Sequence, residues 1–252
     1  MTEHVGVDLA DGVLALTLSR PDKQNALTNA MYAELADQLA HAEIDDRVRV
    51  VLLQGAGRSF TAGNDLEEFA AVASGDDAAG PQEVQRFLGA LSRASKPLVA
   101  AVHGRAVGIG TTMLLHCDLV YVADDALLST PFVDLGLTPE AASSWLLPVR
   151  VGYARAYAMF ALGQTIDGVT AAAWGLATAA VPASEVHAVA RRAAEELTLR
   201  PAGALSATKA LMRDVEALVD RMDQENRLFG ERLHSVEAQA AFSNFLGRSA
   251  KN

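Results

Sequence analysis

The stretch Lys96-Pro97-Leu98-Val99-Ala100-Ala101-Val102-His103-Gly104-Arg105-Ala106-Val107-Gly108-Ile109-Gly110 decides how this chain folds. Leu98 to Val102 is a short apolar run bounded by Pro97 and a glycine turn, which predicts a strand. Gly104 to Gly110 then carries the chain through that turn into the run Thr111 to Cys117, a predicted helix. Phe60-Thr61-Ala62-Gly63-Asn64-Asp65-Leu66 has the same character: Gly63 permits a sharp turn, and the amides after it open a helix with free N–H groups. Two helix starts facing one point present two donors to a negative oxygen, the physics of an oxyanion hole. Close packing alone explains the same glycines, and sequence does not say whether the turns meet.

Outward from these turns, further strands are predicted at Val13 to Leu18, Val48 to Leu53 and Leu119 to Val122, with helical patterns between them. Thr28 is an N-cap for a helix with Met31, Leu35, Leu39 and Ala42 on one face, and Pro81 opens another with Val84, Phe87, Leu88 and Leu91. From Thr138 onward the strand signal nearly vanishes, and helices are predicted over 139–162, 184–199, 203–221 and 223–246. The class is α/β (α+β). Pro201-Ala202-Gly203 interrupts the helical pattern and divides a core, 1–200, from a helical region, 201–252. Ala70 to Gly80 reads as a surface loop, either a lid or an uninvolved segment.

The 252 residues are enough to bury about 70 % of the unfolded surface in one large core. With 31 acidic against 21 basic residues, the formal charge of -10 disfavours nucleic acid and anionic membrane surfaces as partners. The lone Cys117 excludes an internal disulfide, Met1-Thr2-Glu3-His4 does not read as a signal peptide, and no window reads as a membrane span. The cytoplasm is the expected compartment.

Several chemistries lack their motifs. Met113 stands where a dinucleotide fingerprint needs its third glycine, and there is no phosphate loop and no Gly-x-Ser-x-Gly elbow. The six histidines form no His-x-x-x-His pair, so no metal is expected. Thr138-Pro139-Glu140 predicts N-cap, first helical residue and first-turn carboxylate. A first-turn carboxylate commonly just complements the helix dipole. Glu140 also follows Phe132, Val133, Leu135 and Leu137, so it can face an apolar cavity; desolvation then raises its pKa while the dipole lowers it, and a neutral-range base requires desolvation to win. His103, His116, Asp118 and Asp134 read as structural hydrogen-bonders.

Phe60 to Leu66, Lys96 to Gly110 and Cys117-Asp118, with Ser19-Arg20-Pro21-Asp22-Lys23-Gln24-Asn25-Ala26-Leu27 before them, resemble the enoyl-CoA hydratase/isomerase (crotonase) superfamily over nearly the whole chain. The resemblance implies a spiral of ββα units followed by a helical region that builds homotrimers or hexamers. It implies an acyl-CoA substrate, with coenzyme A as part of that substrate and no separate cofactor. By matching position, the backbone N–H groups of Asn64 and Ile109, beside Gly63 and Gly108, would hold the thioester oxygen. Arg20, Asn25, Ala26 and Ala62 fall where the family contacts coenzyme A; Asp65, Leu66 and Phe132 fall in the same substrate-binding segments, and Lys209 would approach the phosphates.

The reaction depends on carboxylates. Where crotonase-like hydratases carry two glutamates this chain has Thr112 and Phe132, neither able to exchange a proton near neutrality. Thr138-Pro139-Glu140-Ala141-Ala142-Ser143-Ser144, with Ser129-Thr130-Pro131-Phe132, looks instead like peroxisomal-type Δ3,Δ2-enoyl-CoA isomerases, in which the glutamate at the place of Glu140 shuttles the proton. An unusual hydratase, another reaction of the family, and a non-catalytic acyl-CoA-binding homologue are the alternatives.

Overall fold

All five residues of Leu98–Val102 are buried, and the strand they form sits inside a six-stranded sheet. A computed structural model describes residues 2–68 and 82–249. Its larger sheet runs β1 (Val5–Ala10), β2 (Val13–Leu18), β3 (Val50–Gly55), β4 (Leu98–Val102), β6 (Leu119–Ala123), β9 (Ala179–Val181). β1 and β2 are antiparallel; every later pair is parallel, with Val51 opposite Leu98 and Val99 opposite Leu119. Parallel strands are covered on both faces, which is why these runs are apolar throughout rather than alternating. Leu14, Leu16, Val51, Leu53, Leu98 and Ala100 point into the main core, whereas Val13, Val50, Leu52, Val99 and Ala101 pack with Ala190 and Ala194. A second, three-stranded sheet joins β5 (Arg105–Val107), β7 (Leu127–Ser129) and β8 (Ile166–Asp167).

Helices α1 (Asn29–Ile44) and α2 (Gln82–Arg93) pack on the main core through Met31, Tyr32, Leu35 and Leu39 and through Phe87, Leu88 and Leu91. Thr28 caps α1 as expected, its hydroxyl accepting from the Met31 amide at 3.3 Å, a contact worth about 1 kcal/mol. A short α3 (Ile109–Thr112) follows the glycine turn, and its continuation buries Cys117. The strand-and-helix units followed by a helical C-terminal region agree with what the resemblance implied.

The remaining elements correct the sequence reading at several points. β1 went unseen, and β8 and β9 lie in the half read as helical, because strands of two to six residues give little periodic signal. The segment 139–162 is two helices, α4 (Ser143–Val151) and α5 (Tyr153–Ala161), broken at Gly152, whose φ of 86° no helix accepts. A short α6 (Gly168–Ala173) was not expected, whereas α7 (Val186–Thr198) matches the helix predicted over 184–199. There, 203–221 and 223–246 resolve into α8 (Ala202–Met212), α9 (Val215–Leu233) and α10 (Val236–Ser249), since Asp214 caps a new helix by accepting from the Ala217 amide at 3.0 Å. Leu218, Met222 and Leu233 of α9 enter the main core, while α8 sends no apolar side chain into it. The loop Ala70 to Gly80 and Pro81 lie outside the described residues. Among those described, no helix is long and apolar enough to cross a membrane.

Candidate active site

The two glycine turns meet. Thr61 bridges Ala106, with the Thr61 amide donating to Arg105 O at 2.9 Å and the Val107 amide to Thr61 O at 3.1 Å. Gly63 and Gly108 both have positive φ, 91° and 57°. A Cβ at Gly108 would meet nothing within 4 Å, so its hydrogen faces open space. The Leu27 amide donates to Gly63 O and the Asp65 amide to Leu27 O, and the Gly108 amide to Ser129 O, which satisfies the neighbours of Asn64 and Ile109. The amides of Asn64 and Ile109 themselves have no protein acceptor among the described residues. Two such donors can hold one developing oxyanion, at about 2.7 to 4 kcal/mol per donor by analogy with hydrolases.

Both residues line a cavity of about 1060 Å³ together with Ala62, Gly63, Leu66, Gly108 and Phe132, all expected from the sequence. Its charged lining is mixed: Lys23 and Arg105 beside Asp22, Asp134 and Glu237. A second pocket of about 90 Å³ adjoins it through Asn64 and Phe229 and contains Glu140, Tyr32, Leu27 and Leu233. Asp65 also lines the small pocket, but its carboxylate is committed to the Arg20 guanidinium at 2.5 Å and to the Glu67 and Glu68 amides; burial opposes ionisation there, yet these partners hold its pKa below the usual range.

Glu140 is not where the sequence put it within its helix. Thr138 caps nothing: α4 starts only at Ser143, preceded by Ala141 and Ala142 with φ of 63° and 53°. This left-handed pair throws Glu140 out of the helical turn and into the protein, 5 % exposed. Its Oε1 has no hydrogen-bond partner. Burial, helped by the negative charge of Glu225, pushes its pKa up to about 8. Outside the helical turn, desolvation sets its pKa, as a neutral-range base requires.

The loop is held from behind. His116 Nε2 lies 2.8 Å from Ala141 O, and Arg213 approaches His116 Nδ1 at 3.1 Å. Burial, reinforced by the nearby Arg213 charge, takes the His116 pKa down to about 4, so the ring is neutral with its proton on Nε2. His116 is thus a structural hydrogen-bonder, as read.

Three residues expected to contact the substrate have hydrogen-bond partners within the chain. Arg20 donates to Ala26 O at 3.2 Å as well as to Asp65. Asn25, fully buried, donates to Ala56 O, Ser59 O and Phe60 O and accepts from the Arg20 amide, tying the loop under the first glycine turn. Lys209 donates to Lys96 O at 2.8 Å and Asp118 at 2.7 Å, and lines neither cavity. Ala26 likewise lines neither. The sequence reading missed Tyr32, whose hydroxyl donates to Asn64 Oδ1, and Glu68 and Phe229, which also line the small pocket. Tyr32 lies in α1 next to Met31, and nothing in its spacing marks it. Among the described residues no group of three or more His, Cys, Asp or Glu could hold a metal ion.

A family model described as enoyl-CoA hydratase/isomerase matches residues 8–251. The chain belongs to the enoyl-CoA hydratase/isomerase family. Members of this family act on acyl-CoA thioesters, and the chain is an enzyme of that family. It is 34 % identical to the 1,2-epoxyphenylacetyl-CoA isomerase of Escherichia coli over 96 % of both chains. It is also 34 % identical to enoyl-CoA delta isomerase 2 of Rattus norvegicus, matching 95 % of its own length and 62 % of that protein. Among solved structures, an enoyl-CoA hydratase/isomerase from Pseudoalteromonas atlantica superposes with a TM-score of 0.92 at 38 % identity, covering 98 % of each chain. OdaA of Pseudomonas aeruginosa superposes at 0.91 with 44 % identity, covering 97 % of this chain and 99 % of that one.

Proposed function

We propose that this enzyme moves a double bond from the Δ3 to the Δ2 position of an enoyl-CoA, with Glu140 as its proton shuttle. The observation that carries the reading is one buried carboxylate, its Oε1 without a hydrogen-bond partner, in a pocket sharing Asn64 with the cavity of the two free amides. Glu140 removes a proton from C2, the dienolate oxygen rests on the Asn64 and Ile109 amides, and the neutral acid returns the proton to C4. Moving a double bond changes no oxidation state, so the step as written draws on no metal, redox group or cofactor beyond the coenzyme A of the substrate. Thr112 and Phe132, where hydratases of the resemblance carry glutamates, support isomerisation over hydration, as does the rat relative named a delta isomerase.

The test follows a 3-enoyl-CoA with the protein and with Glu140→Gln. The expected result is a conjugated product of unchanged mass and a loss of about 10²- to 10⁴-fold in the variant; equal turnover removes Glu140 from the mechanism. Hydration is the second reading, favoured by Glu68 in the same pocket and by relatives named hydratases; its product is heavier by one water. A binding homologue would hold acyl-CoA without exchanging C2 hydrogen for solvent deuterium.

We also propose that residues 201–252 drive self-association to a homotrimer or hexamer. Helix α8 supports this: it sends no apolar side chain into the core of its own chain and leaves Leu211 90 % and Met212 79 % exposed. A monomer by light scattering at micromolar concentration contradicts it.

A further inference from the structure

The helix that follows Glu140 has its positive end occupied. At the start of α4 the Ser143 amide donates to Glu140 O at 3.0 Å and the Trp145 amide to Ala142 O at 3.1 Å. The two amides left over, of Ala142 and Ser144, both donate to the carboxylate of Glu225, at 2.6 and 2.9 Å. Glu225 reaches them from α9, more than eighty residues away in sequence, and is itself 5 % exposed. A buried anion at a helix start takes up both the free donors and the partial positive charge there. Glu140, three residues before the helix, receives none of these amides, and its Oε1 stays unpaired.

We propose that Glu225 is a positioning residue for Glu140: it fixes the left-handed Ala141-Ala142 loop from the α9 side and claims the α4 amides, so that Glu140 faces the pocket as the free base. The inference rests on Glu140 acting as a base, but its geometry is independent of which acyl-CoA is bound. Without Glu225, the Ala142 and Ser144 amides would be unsatisfied, and Glu140, whose backbone carbonyl already accepts from the Ser143 amide, could turn its carboxylate towards them and be spent as a helix cap. The charged and titratable groups about the pair are Tyr32 from α1, Glu68 beyond the first glycine turn, the neutral His116 with Arg213 behind the loop, and Arg221 near Glu225. Burial raises Glu225 as well, but the Ser144 and Ala142 hydrogen bonds and the Arg221 charge oppose the rise. Of the two carboxylates, Glu140 therefore takes the proton first and Glu225 remains the anion.

The experiment is a carbon-13 NMR titration of carboxyl-labelled glutamate in the whole protein, with the Glu140 signal assigned by its loss in Glu140→Gln. In Glu225→Gln the Glu140 midpoint should fall by about one pH unit or more; an unchanged midpoint overturns the proposal. With 3-enoyl-CoA as substrate, the rise of kcat/KM with pH should move down by the same interval while kcat drops about tenfold and KM changes little; an equal loss at every pH, carried by KM, also overturns it. Glu225→Asp keeps the charge but shortens its reach, so the high midpoint should persist while kcat falls; a variant indistinguishable from the parent contradicts the positioning role. A shifted midpoint in a protein that isomerises nothing would leave Glu225 in place and remove only the assigned reaction.

Discussion

Gly63 lies so close to Val107 that a Cβ built on it would stand 2.7 Å from the Val107 carbonyl oxygen. The two turns that present the Asn64 and Ile109 amides can approach only because residue 63 has no side chain, and its φ of 91° separately demands glycine. Gly63→Ala should therefore separate the donors. The expected outcome is a loss of about 10²-fold or more in kcat with a stability cost of roughly 1–3 kcal/mol, read by steady-state kinetics and urea unfolding.

Keeping Glu140 buried destabilises the free enzyme. Its pKa rises from 4.5 to about 8 on folding, so the folded state binds the extra proton and stability declines as pH increases across that interval. Glu140→Gln should unfold at a higher temperature than the parent at pH 9, by the equivalent of roughly 3–5 kcal/mol, with the gap closing near pH 4.5. Calorimetry at the two pH values checks it.

His116 has the opposite sign. A folded pKa near 4 against 6.5 unfolded means that the unfolded chain gains the proton first as acid is added, so stability is lost between pH 6.5 and 4. The loss attributable to this ring is roughly 3 kcal/mol. His116→Asn, less stable at pH 7, should lose less than the parent over that interval.

Lys209 and Arg20 should separate folding from substrate binding. Lys209 is largely buried against Asp118 and Lys96 O, so Lys209→Met should lower the melting temperature and leave the KM for acyl-CoA unchanged within about twofold. Arg20→Met should loosen the loop at Asp65 and impair kcat through Asn64, with little effect of salt on KM.

The glycine turns and the α1 cap were legible because backbone demands admit few residues: Gly63 and Gly108 at positive φ, Thr28 at an N-cap. Glu140 was legible as a residue but not as a position. Thr138-Pro139-Glu140 satisfies every local rule for a helix start, and the alanines at 141 and 142 carry no mark of the left-handed conformation that the contacts of Glu225 and His116 impose on them. Those contacts span 83 and 25 positions, distances over which a sequence pattern is silent. The Lys209 contact was not legible for the same reason: its partner Asp118 lies ninety-one positions away.

Cys117 offers a timer for internal motion. Its thiol is 2 % exposed, and burial has pushed its pKa up to about 12, so a thiol reagent has nothing to attack while the surrounding layer stays shut. Because no second cysteine competes for the reagent, the speed of labelling counts how often the ground beneath His116 and the Glu140 loop opens.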